Sequence, residues 1–544
     1  MPFSSALAHH RVVVLSCAVG LMWAFSGAVS PVDAAGWDVC AHGCRYDQVG
    51  PALAAARDGD TIRVGPGVYT GGLTITTSVN LMGSGRDATV IRGGGPVLTI
   101  GTFGAATEPT VTIRGVTLTG GVSRTSPVAI RFLGEAGAFA TGGGVEVPPG
   151  PDSGAGFGPG AAVSITDSAV TGNRVAPTAT VPFGGPCPTG PCPFAVASGA
   201  GIDSWGDLTL LRTSVSHNRA GTASGLSAIA SDVVGGAIQH WAGDLTITGS
   251  SLEDNQATAS APNGRFADAG AIKASGHTVT MSHDMFRGNR ATLTAGQPDS
   301  VESSARAGAV FLGNQLSAAT IQDTEFSDNS ATMTNTAGHT YADSGAVHGE
   351  LLLTLSGDVF NRNSVISATL PGSPGTAAGD SGAGQVSGTI TGTRFTGNTV
   401  TVRSHAGDAH AGGGAAILSG TLTRSLIKDN RVLAISPHGT VALAGAGLSA
   451  GDFDVTLQNT DVTDNTGVAI GTSGSAQGGG IYDSPVPNGP PGGPLLLTGS
   501  HITGNTLHGG HGVTVSGGGV FSTYHVDLAD SVIARNAPDQ CIGC

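Results

Sequence analysis

Two short phrases in this 544-residue chain hold residues fit for acid–base chemistry, Asn459-Thr460-Asp461 and Gly510-His511-Gly512. A carboxylate and an imidazole can carry the proton transfers that cleave a glycosidic bond. No catalytic residue is assigned; Asp461 and His511 are the candidates, and a resemblance given below is what singles them out. Each has a plainer explanation. Thr460 is a fixed position of a repeat described below, and His511 stands in the glycine-rich segment 509–517.

Other chemistry finds less to work with. A lyase needs carboxylates gathered around Ca²⁺ and a base beside the proton to be removed. Asp203, Asp207, Asp244 and Asp254 are available with Arg212 and Arg219 nearby, but their spacing follows turns, where aspartate is favoured locally. His405, Asp408 and His410 lie in a glycine-rich stretch and fall short of a fixed metal geometry. Phosphate-loop and His-Glu-x-x-His patterns do not occur. No cofactor is expected, Ca²⁺ being the one ion the acidic balance would admit.

The elements that must position any such residue are set by a six-residue phrase: Ser, Thr or Asp, any residue, an apolar residue, any two, then Asn. It occurs eleven times, ending at Asn173, Asn218, Asn255, Asn289, Asn329, Asn363, Asn398, Asn430, Asn465, Asn505 and Asn536. The steps run from 31 to 45 residues, about 36 on average, as in stacked-repeat architectures. In Gly235–Gln256 the run Leu245-Thr246-Ile247-Thr248 alternates as a half-buried strand does. Three short strands and three turns then make one coil of about 22 residues, and stacked coils place each Asn over the next as a hydrogen-bonded ladder. A β-propeller would need a fourth alternating strand in each repeat, and most repeats lack one.

The expected fold is all-β: a single right-handed parallel β-helix of roughly 13 coils, with strands stacked at the usual spacing. A short N-terminal capping helix is read from Val49, Ala52, Leu53 and Ala56, with Asp47 as N-cap, Pro51 in the first turn and Gly59 past the end. The segments that follow each Asn, such as 174–198 and 364–380, are rich in Ala, Gly, Ser and Thr. They read as loops crowding one face, either solvated filler or a binding surface.

Residues 1–35 read as a signal peptide, with Arg11 ahead of the apolar run Val12–Val29 and Val32-Asp33-Ala34 as the cleavage region; an uncleaved anchor is the alternative reading. Residues 36–120 hold the cap and first coils, 121–537 the repeats and 538–544 a cysteine tail. No transmembrane segment is expected in the mature chain, which is placed outside the cell, secreted or on the surface. Cys40/Cys44, Cys187/Cys192 and Cys541/Cys544 form three close pairs, read as local disulfides in an exported chain. The net charge of −14, with lysine only at Lys273 and Lys428, argues against nucleic acid as a partner.

Two resemblances are carried by particular residues. Asp58–Tyr69 followed by Leu81-Met82-Gly83-Ser84-Gly85 resembles the opening of pectin-lyase-like β-helices. Gly235–Ile238 and the Phe-x-x-Asn phrases at Phe286, Phe326, Phe360 and Phe395 resemble the repeats of polymorphic outer-membrane proteins. The first resemblance implies a fold in which many members cleave acidic polysaccharides. Its polygalacturonases use Asn-Thr-Asp, Asp-Asp, Gly-His-Gly and Arg-Ile-Lys in order, and this chain has neither Asp-Asp between Asp461 and His511 nor Arg-Ile-Lys after them. The second implies a surface-displayed, often adhesive protein. The expected function is thus a non-catalytic exported scaffold or adhesin that binds a polysaccharide or protein at the cell exterior. The alternative is a polysaccharide lyase or glycoside hydrolase.

Overall fold

A computed structural model describes residues 36–124, 139–152, 157–177, 181–183, 192–222, 230–260, 263–296, 303–484 and 493–544. Their strands form a parallel β-helix of three sheets, with 25, 21 and 14 strands. The 14-stranded sheet receives one strand per coil, so the described residues make one coil more than the repeat count predicted. The helix Val49–Ala55 buries Val49, Ala52 and Leu53 over the first coils. Gln48, not Asp47, occupies its N-cap and makes no side-chain capping bond.

In the middle of the stack a coil has five strand stretches where three were expected. In one coil Val310–Leu312 and Ala318–Gln322 lie in the first sheet, Glu325–Ser327 in the second, and Ser330–Asn335 and Thr340–Asp343 in the third. The last two are the segment after the repeated phrase, read above as a loop. It runs out as one strand and returns as another, and successive coils stack these pairs into a fin beside the body. Alternation explains why: in Ser330–Asn335 the buried residues Ala331, Met333 and Asn335 alternate with half-buried ones. Between the two lanes lies a second, small-residue core that includes Ala257, Ala259, Leu293, Met333, Ala342, Val365, Val400 and Ala409.

The body core is larger. Phe286, Phe326, Phe360 and Phe395 stack in succession with ring centroids 4.8–4.9 Å apart, and each is buried. Burying an aromatic side chain of this kind contributes about 1.5–3 kcal/mol. Beside them runs the asparagine column. Asn329 receives at Oδ1 both the backbone N–H (3.0 Å) and the side-chain amide (2.9 Å) of Asn289. It in turn donates both groups to Oδ1 of Asn363 and its amide also to the Phe286 carbonyl. The same bonds link the successive asparagines from Asn173 to Asn536. The small polar position of the phrase forms a second column, for example Thr213 N–H to Ser250 Oγ and Ser250 N–H to Asp284 Oδ1. Buried backbone donors at two corners of each coil are satisfied in this way.

Candidate functional site

The fin meets the body at an inside corner, and this notch collects the side chains most capable of chemistry. Its floor is the second residue of each strand that opens a coil. Strand register stacks Glu146, Asp203, Gln239, Lys273, Phe311, His348 and Gln385 along it. Its wall is the end of each returning fin strand, stacking Ser198, Val234, Asp268, Arg306, Asp343 and Asp380. A strand alternates faces, so the middle residue of a short opening strand points away from the body core and into the corner, where the wall covers it.

Charges in the notch are paired across it. Asp268 is buried and accepts from Lys273 Nζ at 2.9 Å and from Arg306 Nε and Nη2 at 3.0 and 2.9 Å. His348 Nδ1 lies 2.8 Å from Asp343 Oδ1. The Phe311 ring has the His348 ring stacked at 4.7 Å, Arg306 at 4.7 Å and Lys273 Nζ at 4.9 Å. Arg306 also stands 5.2 Å from the Phe266 ring. The side chains of Lys273 and Arg306 each keep 21% of their surface exposed, enough for a bound chain to reach them.

Protonation follows from burial and these partners. Burial pushes Asp268 up, but Lys273 and Arg306 outweigh it and hold its carboxyl below the usual range. Burial likewise opposes the Asp343 carboxylate and the His348 cation, yet each stabilises the other, so Asp343 is lowered and His348 raised. Burial pushes Asp380 up to about 7, with the Asp343 charge adding to it. Tyr341, partly exposed, has its phenol raised by burial and then by Asp343 and Asp380.

Towards the N-terminal end the notch turns acidic and aromatic. Glu146 and Asp203 sit in register on adjacent coils, both buried. Burial, then the charge of Asp203, holds Glu146 well above the usual carboxylate range, and burial pushes Asp203 up to about 7. Trp241 donates its indole N–H to Asp203 Oδ1 at 3.2 Å and stacks on Trp205 at 5.2 Å, and Phe157 lies 6.0 Å from Trp205. Glu146 Oε2 and the Gln239 amide make no hydrogen bond among the described residues.

The turn that leads from wall to floor departs from its own rule here. It needs a left-handed residue, which is glycine at Gly142, Gly199 and Gly235 in the coils of Glu146, Asp203 and Gln239 and again at Gly413, Gly445, Gly478 and Gly517 further on. In four successive coils between, it is Ala269, Ala307, Ser344 and Ser381, with φ of 60°, 55°, 59° and 62°. Left-handed backbone costs a residue with a Cβ about 1–2 kcal/mol, and strain of this kind gathers at functional sites. The repeat, regular along its asparagine column, is broken at the notch.

Of the residues singled out from sequence, Asp203 lies in the notch, and the two catalytic candidates lie elsewhere. Asp461 is on the exposed face of the second sheet, paired with His501 Nδ1 at 2.9 Å. His511 is exposed at the fin tip between Thr506–Gly509 and Val513–Ser516. The fold assigns the two to different sheets and brings no acid–base pair together from them. The asparagines are interior, and Cys40–Cys44 and Cys541–Cys544 are disulfides at the two ends. Cys187 falls outside the described residues, as do residues 1–35, read above as a signal peptide, and the Cys192 side chain. Among the described residues no three His, Cys, Asp or Glu side chains converge as a metal site, and no helix is long and apolar enough to cross a membrane. The notch left one trace in the sequence: isolated charged residues at equivalent coil positions of a chain that is only 11% charged.

No family model and no curated protein matches the sequence. Among solved structures, the chain is similar to the A-module of the mannuronan C-5 epimerase AlgE6 of Azotobacter vinelandii. The match has 14% identity, covers 87% of this chain and 93% of that one, and has a TM-score of 0.24. That likeness is too distant to bear on the notch.

Proposed function

We propose that this chain is an exported protein that binds a polysaccharide lengthwise in the notch. One observation carries the reading: along a single groove, coil after coil presents an aromatic face or a hydrogen-bonding charged group, from Trp205 and Trp241 through Phe266, Lys273 and Arg306 to Tyr341. Aromatic faces take sugar rings with small loss of side-chain freedom, and fixed polar groups take their hydroxyls. The segments after each asparagine contribute as expected of a contact surface, but as the groove's rigid wall. Export is supported by the N-terminal apolar run and the end disulfides.

Affinity measurements against neutral and acidic polysaccharides, with and without Ca²⁺, test the reading. Trp241→Ala and Arg306→Ala should each weaken binding to one of them about tenfold, ~1.4 kcal/mol, measured well below each variant's melting temperature because Arg306→Ala also unpairs the buried Asp268. Absence of binding to every polymer would overturn it.

A second reading, cleavage of the bound polymer, is favoured by the Asp343–His348 pair beside the Tyr341 phenol, since a carboxylate-held imidazole is a general acid or base. New reducing ends or unsaturated products, lost in His348→Ala and kept in Asp461→Ala and His511→Ala, would establish it.

A further inference from the structure

The strand after the floor carries a different surface. On it the outward residue is threonine in eight consecutive coils: Thr209, Thr246, Thr280, Thr320, Thr354, Thr389, Thr421 and Thr456, each in register with the next. Two residues on, a second column reads Leu211, Thr248, Ser282, Gln322, Ser356, Thr391, Thr423 and Gln458 in the same registers. No charged or aromatic side chain interrupts either column.

Strand propensity does not account for this. The second sheet is just as exposed and regular, yet its outward column reads Ser214, Ser251, Met285, Glu325, Val359, Arg394, Leu426 and Asp461. A general liking of strands for β-branched residues would act on both. Nor are the threonines tied up internally: among the described residues, none of the eight first-column hydroxyls hydrogen-bonds to the protein.

The result is a regular array, its first column all hydroxyl and methyl groups and its second mostly Thr and Ser, repeating about 4.8 Å along the stack and about 6.6 Å across it. β-branching keeps each χ1 nearly fixed. A rigid two-dimensional lattice complements a rigid periodic solid, because a single flexible polymer would touch only one row. Sugar-binding surfaces offer aromatic platforms, and this face has none while the notch has several. Hydroxyls that bind water and methyls that pack against it suit a surface of ordered water. We propose that the threonine face binds ice.

The test is ice-crystal shaping and partition of the full chain into slowly growing ice, for wild type, Thr389→Lys, Thr280→Tyr and the second-sheet control Ser251→Tyr. The expected result is shaping and enrichment by wild type and Ser251→Tyr, with at least a tenfold smaller ice-bound fraction for the two column variants at unchanged circular dichroism and melting. Wild type that neither shapes nor enters ice overturns the proposal. So do column variants that keep full activity, and so does a face that binds crystalline cellulose or chitin and leaves ice unshaped. Trp241→Ala should keep ice binding, and Thr389→Lys should keep polysaccharide binding, so the two surfaces fail separately.

Discussion

Gln540 closes the asparagine column. Its Oε1 accepts the backbone N–H of Asn536 at 3.0 Å and the Asn536 side-chain amide at 3.2 Å. Those are the two bonds that every earlier asparagine of the column makes to the asparagine one coil on, with a glutamine from the next segment standing in for the missing rung. The column is thus a finite structure with a defined last member, and its interior members can be tested one at a time.

Asn329→Leu should be strongly destabilising. It removes the acceptor for two donors of Asn289 and the donors that reach Asn363 and Phe286. Unsatisfied buried groups cost about 1–3 kcal/mol each, so a loss of about 2–5 kcal/mol is expected. Glu325→Gln, four residues away and exposed, should stay within ~0.5 kcal/mol. Chemical denaturation of the two variants decides; equal midpoints would remove the ladder from the account of stability.

Stability should fall as pH rises from about 4 to about 7. Burial pushes Asp203, Asp284, Asp358 and Asp380 each up to about 7, above their unfolded values. The folded state therefore holds protons that the unfolded state has released, and the stability this contributes is lost as pH climbs towards the folded value. His348, raised by Asp343, acts in the same direction. Asp268 and Asp343, lowered in the fold, contribute stability above the ordinary carboxylate value that is lost only below it. Urea midpoints at pH 5 and pH 8 check the sign, and Asp358→Asn should flatten the slope.

Ser381→Gly should stabilise the chain. Ser381 holds φ at 62°, is buried, and its hydroxyl finds no hydrogen-bond partner among the described residues. Glycine relieves both penalties, and a gain of about 1–2 kcal/mol is expected. If the strained turns shape the notch, polysaccharide binding by this variant weakens while its melting temperature rises. A lower melting temperature would show that the turn is not strained.

The cysteines should pair locally. Peptide mapping of non-reduced protein should return Cys40–Cys44 and Cys541–Cys544 as the structure has them, and Cys187–Cys192 as the sequence spacing proposes. A link between members of different pairs would contradict this.

The body of the fold was legible because its signal is written in residues of contrasting character. An apolar side chain and an asparagine at fixed spacing, as in Phe326 and Asn329, demand a repeated interior. The fin was not legible. Its strands alternate too, but Gln256-Ala257-Thr258-Ala259-Ser260 alternates alanine with small polar residues, and so faint a contrast reads as filler. The notch was hidden for another reason. Lys273 reaches Asp268 across a five-residue turn, but Arg306 reaches it only because register stacks the returning strands of neighbouring coils. No local spacing announces that second contact. Asp461 and His511, which looked like chemistry in sequence, are set on different sheets by the same topology.

The asparagine column also has a direction. Each rung points its two N–H groups towards the C-terminal neighbour and its oxygen towards the N-terminal one. A partly assembled stack growing from the N-terminal side therefore always carries one rung of bare donors at its leading edge. One growing from the other side carries one bare oxygen. Either way the exposed defect is a single rung whatever the number of coils, while every added coil completes another. Assembly should become more favourable as it lengthens, much as a crystal past its nucleus does, and a whole coil could be duplicated or excised without creating a second defect, whereas one residue gained or lost inside a paired strand, rather than in a turn, would shift its register against both neighbours.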